Sequence, residues 1–83
     1  MNPIQNIHFT LLIRVNNRLH EFNFRKRTDE SYDVDTSDDR GNRHYFKILS
    51  SDSKWNMMGA NLPKWITENK AVIVEKLEEK VRS

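Results

Sequence analysis

The chain has no cysteine, two glycines, two prolines and no apolar run long enough to cross a bilayer. Without cysteine there is no disulfide, no thiolate nucleophile and no Cys-ligated zinc. Two glycines, at Gly41 and Gly59, cannot build a phosphate-cradling loop, and no Gly-x-Ser-x-Gly elbow occurs. The missing run of about 18 apolar residues, and the missing apolar core of a leader peptide, make a cytoplasmic protein the expectation. Neither sign of charge dominates: fourteen Lys and Arg oppose twelve Asp and Glu, giving a net charge of +2.

What is present is enough for one domain spanning 1–83. At 83 residues such a chain buries only about 60–65% of its unfolded surface, so every apolar stripe is needed for the core and little remains for an elaborate active site. Ile7, Phe9, Leu11, Ile13 and Val15 alternate with His8, Thr10, Leu12 and Arg14, the period of a strand with one buried face. Asn16-Asn17 tolerates positive φ and predicts a two-residue hairpin, with the return strand over Arg18 to Arg27. Pairing Val15 with Arg18 sets Ile13 opposite His20, Leu11 opposite Phe22 and Phe9 opposite Phe24. A one-residue slip would separate those stripes.

A second hairpin runs from Tyr32 to Thr36 and back along Arg43 to Leu49, with Gly41 at the left-handed position of a bulged three-residue loop. Asp38 facing Asn42 puts Thr36 opposite His44, Val34 opposite Phe46 and Tyr32 opposite Ile48. A four-residue turn over Ser50 to Ser53 leads to a fifth strand, Lys54 to Met58, with Ile48 opposite Trp55 and Phe46 opposite Met57. Beyond Gly59 to Asn61 the pattern turns helical, with Pro63 at the first helical position. Leu62, Ile66, Ile73, Leu77 and Val81 form one stripe, interrupted near Asn69-Lys70. Either one long helix or a short turn and a longer helix capped by the Asn69 side chain fits.

The predicted fold class is therefore α+β, two-layered: an antiparallel five-stranded meander over 7–58 with one C-terminal helical segment, 62–82, packed on its apolar face. Residues 1–6 read as a lead-in that frays, and so do Arg82 and Ser83.

The candidate chemistry is thin. Asp33, Asp35, Asp38 and Asp39 alternate like the oxygen ligands of a calcium loop, but Asp38 stands where the loop needs glycine and His44 where it needs the bidentate glutamate. The aspartates then read as outward strand residues and turn residues, so no metal is expected. His8, His20 and His44 do not share an element at ligand spacing, with His20 and His44 at strand ends on the core side. Glu78 and Glu79 are consecutive on a helix and point apart. No catalytic residue and no cofactor is expected.

Arg25-Lys26-Arg27 is the one basic cluster. Arg25 and Arg27 point outward, with His8 beside Arg25, and could track phosphates. The register that puts Phe24 beside Val34 also puts Asp33 and Asp35 on that outward face, with Lys47 opposite Asp33. Self-neutralised cross-strand pairs are therefore expected. On the same face Leu12, Leu19, Tyr45, Leu49 and Met58 interrupt the charges, and no second helix is predicted to cover them. The candidate interaction face is thus Leu12, Leu19, Arg25, Arg27, Tyr45, Lys47 and Met58, with the corner Asn56 to Lys64 as a second surface.

Ile7 to Arg27, the Tyr32-Asp33-Val34-Asp35 to Arg40-Gly41-Asn42-Arg43 hairpin, and Leu62-Pro63-Lys64-Trp65 together resemble small bacterial single-domain proteins grouped as domains of unknown function. The resemblance rests on fold-setting positions and implies no activity. Strands followed by one helix are also the order in single-strand DNA binders of the positive-cofactor type, a likeness of topology alone. The expectation is a non-enzymatic module that binds a protein partner or its own copy. The alternative is single-stranded nucleic acid on the outward face, weakened by Tyr45 being the sole outward aromatic. A small-molecule-binding protein or enzyme is the third class.

Overall fold

Two tight turns set the frame of the sheet. In the computed structural model, which describes residues 7–27, 30–51 and 54–82, Asn16 and Asn17 both take positive φ, 52° and 67°. That is the left-handed pair a two-residue hairpin requires, because its twist matches that of the strands. It joins β1 (His8–Val15) to β2 (Arg18–Lys26) in the register Val15 opposite Arg18 and Phe9 opposite Phe24. The second turn is closed by the Asp38 amide to the Asn42 carbonyl at 3.0 Å, with Gly41 at φ 85°. It joins β3 (Ser31–Ser37) to β4 (Arg43–Ser51) with Val34 opposite Phe46. β5 (Lys54–Met58) completes an open antiparallel meander in the order β1-β2-β3-β4-β5.

The β4–β5 register differs from expectation by two residues. Ile48 lies opposite Met57, Ser50 opposite Trp55 and Ser51 opposite Lys54, so both strands run further towards the turn than a four-residue loop allows. Residues 52 and 53 lie outside the described segments. A shift of two keeps every side chain on its face, so hydrophobic alternation cannot distinguish the two registers; turn length alone decides. The register places Gly59 beside Phe46, where a Cβ would come within 2.9 Å of both the Phe46 Cβ and the Leu62 Cδ1. Glycine is what lets Leu62 fold back over Phe46 and start the helical segment.

That segment is broken. α1 (Lys64–Thr67) is a single turn, followed by α2 (Lys70–Arg82). Pro63 stands at the cap position rather than the first helical position, and its carbonyl accepts from the Ile66 amide at 3.1 Å. The Asn69 side chain does not cap α2: its amide donates back to the Trp65 carbonyl at 2.8 Å, and its own carbonyl accepts from Ile73 at 3.1 Å. The break between the two helices thus keeps its hydrogen bonds. Ile66, Ile73 and Leu77 are fully buried against Ile13, Phe22, Phe24 and Ile48. Trp65 reaches the far end of the sheet, stacking on His20 with ring centroids 4.4 Å apart.

The result is the expected α+β meander with one helical layer. Residues 1–6 and Ser83, read from the sequence as fraying, lie outside the described residues, and Arg82 belongs to the last turn of α2. No helix among the described residues is long and apolar enough to cross a membrane.

Candidate functional site

The side of the sheet turned away from the helices has no second layer among the described residues. Strand parity assigns it Arg14, Arg25, Arg27, Arg43, Lys47 and Lys54, six cations, against the three carboxylates Glu21, Asp33 and Asp35. This one face therefore carries more net positive charge than the whole chain, which stands at +2.

The charges are sorted by reach as well as by register. Arg25 lies opposite Asp33, but the carboxylate pairs with the Arg27 guanidinium at 3.3 Å. Asp35 lies opposite Asn23 and pairs with Arg43 at 3.0 Å, not with Arg25 or Arg27. Asn23 donates to Asp35 at 3.3 Å and accepts from the Thr10 hydroxyl at 2.6 Å. Thr10, Asn23, Asp35 and Arg43 thus form one hydrogen-bonded chain across four strands. The expected neutralisation holds for Arg27 and extends to Arg43. Arg25 and Lys47, on either side of Asp33 in one row, have no ion-pair partner within 4.0 Å among the described residues.

Around that row the surface forms an open trough of about 510 Å³, lined by His8, Asn23, Arg25, Asp33, Asp35, Tyr45, Lys47 and Met58. Tyr45 is 67% and Met58 59% exposed at one margin. Leu12 and Leu19 are as exposed, but lie at the opposite corner, on β1 and β2, where Leu12 faces Glu21 and Leu19 faces Arg14. The predicted residues therefore share a face without forming one patch: Arg25, Tyr45, Lys47 and Met58 come together, Arg27 borders them through Asp33, and Leu12 and Leu19 stand apart. Leu49 is half-buried.

In the corner at the end of β5, Met57, Leu62 and Trp65 are partly buried against the core, while Gly59, Ala60, Asn61 and Lys64 are exposed. The calcium-loop aspartates do not converge either. Asp33 and Asp35 turn out to their arginines, while Asp38 folds over its own turn, its Oδ1 accepting from the Arg40 and Asn42 amides at 2.9 Å each. Its Oδ2 meets the His44 Nε2 at 3.2 Å. The Asn42 amide, helped by His44 and Arg40, holds the Asp38 carboxyl down at about 2, against some opposing desolvation. No group of three or more potential metal ligands is found among the described residues.

A second cleft, of about 450 Å³, lies at the turn end beside Trp65, lined by Arg18, His20, Asp38, Asp39 and Arg40 among others. Arg18 pairs there with Asp39, tying the two hairpin turns together. The nearby Thr36 hydroxyl is buried and donates to the Glu21 carbonyl at 2.8 Å. His44 and Asp38 thus form a pair that holds a turn in shape. The partnering of Asp35 with Arg43 and of Arg18 with Asp39 escaped sequence reading, since each joins elements whose side chains meet diagonally.

Comparison with known proteins leaves the geometry as the sole guide: no family model matches the chain, and neither a curated protein nor a solved structure matches it.

Proposed function

We propose that this is a non-enzymatic binding module whose working surface is the uncovered sheet face, and that its partner is a carboxylate-rich protein segment. The observation that carries the reading is the row Arg25-Asp33-Lys47, in which two cations without ion-pair partners among the described residues flank a carboxylate already paired to Arg27. Two free cations on a rigid sheet attract an anionic partner at long range and fix it at short range. Tyr45 and Met58 beside them supply apolar area with little rotamer entropy lost in the tyrosine, and Tyr, Met and Arg are enriched where interfaces concentrate binding energy. The hydrogen-bonded chain from Thr10 to Arg43 keeps the trough floor in one shape before the partner arrives.

Single-stranded nucleic acid is the second reading, favoured by the same cations standing next to an exposed tyrosine on which a base could stack. Fluorescence anisotropy separates the two. A labelled Glu-rich peptide and an oligothymidylate of similar length are titrated at about 50 mM and about 200 mM salt, with wild type and with Arg25→Glu/Lys47→Glu. The protein-partner reading expects the peptide to bind and the double variant to lose at least about tenfold in affinity, roughly 1.4 kcal/mol. Tighter binding of the oligonucleotide, lost in the same variant, supports the second reading. Equal binding by wild type and variant overturns both.

A further inference from the structure

The outward side chains stand in rows that cross the strands, and one row runs the whole width of the sheet. His8 lies opposite Arg25, Arg25 opposite Asp33, Asp33 opposite Lys47 and Lys47 opposite Met58. Adjacent strands stand about 4.8 Å apart, so the backbones of Arg25 and Lys47 are separated by about 10 Å, with Asp33 midway. Between those two cations the charge reads plus, minus, plus. The Arg27 guanidinium holds the Asp33 carboxylate at 3.3 Å, so the middle position asks for no further cation. A carboxylate set over it meets like charge. The neighbouring row, Thr10, Asn23, Asp35 and Tyr45, is tied by hydrogen bonds as far as Asp35 and offers no cation. Beyond Lys47 the charged row ends in Met58, 59% exposed, with Tyr45, 67% exposed, at the same margin of the trough.

Resting on the reading above of an acidic protein partner, we propose that the trough takes one helix of that partner, laid across the strands. The helix carries two carboxylates at i and i+7, an uncharged residue between them on the same face, and an apolar residue one turn further on. The argument is one of matching periods. Along one face of a helix, i+3 and i+7 stand about 4.5 and about 10.5 Å from i, within about 1 Å of the spacing of one and two strands. An extended segment repeats its face every two residues, about 6.7 Å, so with one acid at Arg25 the next facing positions miss Lys47 by about 3 Å on either side. Long side chains close such a gap only by giving up rotamer freedom. On the helix, carboxylates at i and i+7 meet Arg25 and Lys47, the residue at i+3 passes over Asp33, and an apolar residue at i+11 covers Met58 and Tyr45. About 12 helical residues, about 18 Å, match the width of five strands, about 19 Å. An unbroken run of glutamates is the poorer ligand, because it sets one carboxylate over Asp33.

Fluorescence anisotropy at about 50 mM salt, with three labelled peptides of equal net charge, tests the arrangement. The first is held helical by a staple on its far face and carries glutamates at i and i+7, glutamines between them and leucine at i+11. The second keeps the staple and the composition but has its second glutamate at i+5, off that face. The third carries the first peptide's acids on a chain broken by a central proline, and circular dichroism checks the helicity of all three. The first is expected to bind at least about threefold more tightly than either of the others. Lys47→Gln should abolish its advantage over the second. Adding a glutamate at i+3 should weaken the first peptide although its negative charge rises. Equal affinities for the three, or tightening by the added glutamate, overturn the helix and its spacing. If the Glu-rich peptide then still responds to Arg25→Glu/Lys47→Glu, the proposed function stands without them. Failure of every acidic peptide to bind overturns both.

Discussion

Truncating Leu77 to alanine tests whether α2 is held to the sheet by burial. Leu77 is fully buried and packs in the cluster that holds Ile13, Phe24 and Ile73, whereas Val81, one turn further along α2, is 44% exposed. Removing a buried leucine side chain costs the transfer energy of its methyl and methylene groups and leaves a cavity that neighbours only partly fill, together about 2–5 kcal/mol. Taking about 3 kcal/mol, and about 4–8 °C of melting temperature per kcal/mol for a domain of this size, Leu77→Ala should melt roughly 12–24 °C below wild type. A chain of this length has about 4–12 kcal/mol in all, so the variant should still fold but unfold at a much lower urea midpoint. Val81→Ala should stay within about 0.5 kcal/mol of wild type. Urea unfolding followed by far-UV circular dichroism and by the fluorescence of Trp65 and Trp55 measures both. A loss below about 1 kcal/mol for Leu77→Ala, or equal losses for the two variants, would refute the packing of α2 described above.

The two glycines should fail for different reasons. Gly59→Ala meets Phe46 and Leu62 at 2.9 Å and should cost about 1–3 kcal/mol by overpacking, part of it recovered on adding Leu62→Ala. Gly41→Ala meets nothing within 4 Å but must hold φ 85°, so it should cost about 1–2 kcal/mol, unrelieved by any neighbouring truncation; urea midpoints report both. Because the Asp38 carboxyl is held at about 2 against an ordinary 3.8, its hydrogen bonds stabilise the fold fully above pH 4 and are lost as pH falls towards 2. The wild-type urea midpoint should therefore fall more than that of Asp38→Asn across that window, and parallel curves would contradict the assignment.

How much of this was legible depended on which kind of information each feature needs. Alternation and turn residues were sufficient for β1 to β4, because Asn16-Asn17 and Gly41 each permit few loop geometries and a slip by one would have exposed Phe22, Phe24 or Phe46. The β4–β5 register was not legible, since a slip by two leaves Trp55 and Met57 facing inward either way. The break at Asn69 was visible as a gap in the apolar stripe, but the direction of its side chain was not: Asn is equally at home capping a following helix or bonding back to a preceding carbonyl. For the outward face, parity correctly gathered Arg25, Tyr45, Lys47 and Met58, yet could not say which arginine each aspartate would take. Arg27 reaches diagonally to Asp33 and Arg43 to Asp35, and those two choices leave Arg25 and Lys47 free of ion pairs among the described residues.

The face opposite the helices is thus more cationic than the interspersed sequence suggests, and its cations stand on a floor kept in place by cross-strand hydrogen bonds. The most direct test is an NMR titration of labelled protein with a Glu-rich peptide, following backbone amides together with the Arg and Lys side-chain signals. The account predicts the largest shifts at Arg25, Tyr45, Lys47 and Met58, with α2 unmoved. Shifts gathered instead along α2, or in the cleft formed by Arg18, Arg40 and Trp65, would contradict it.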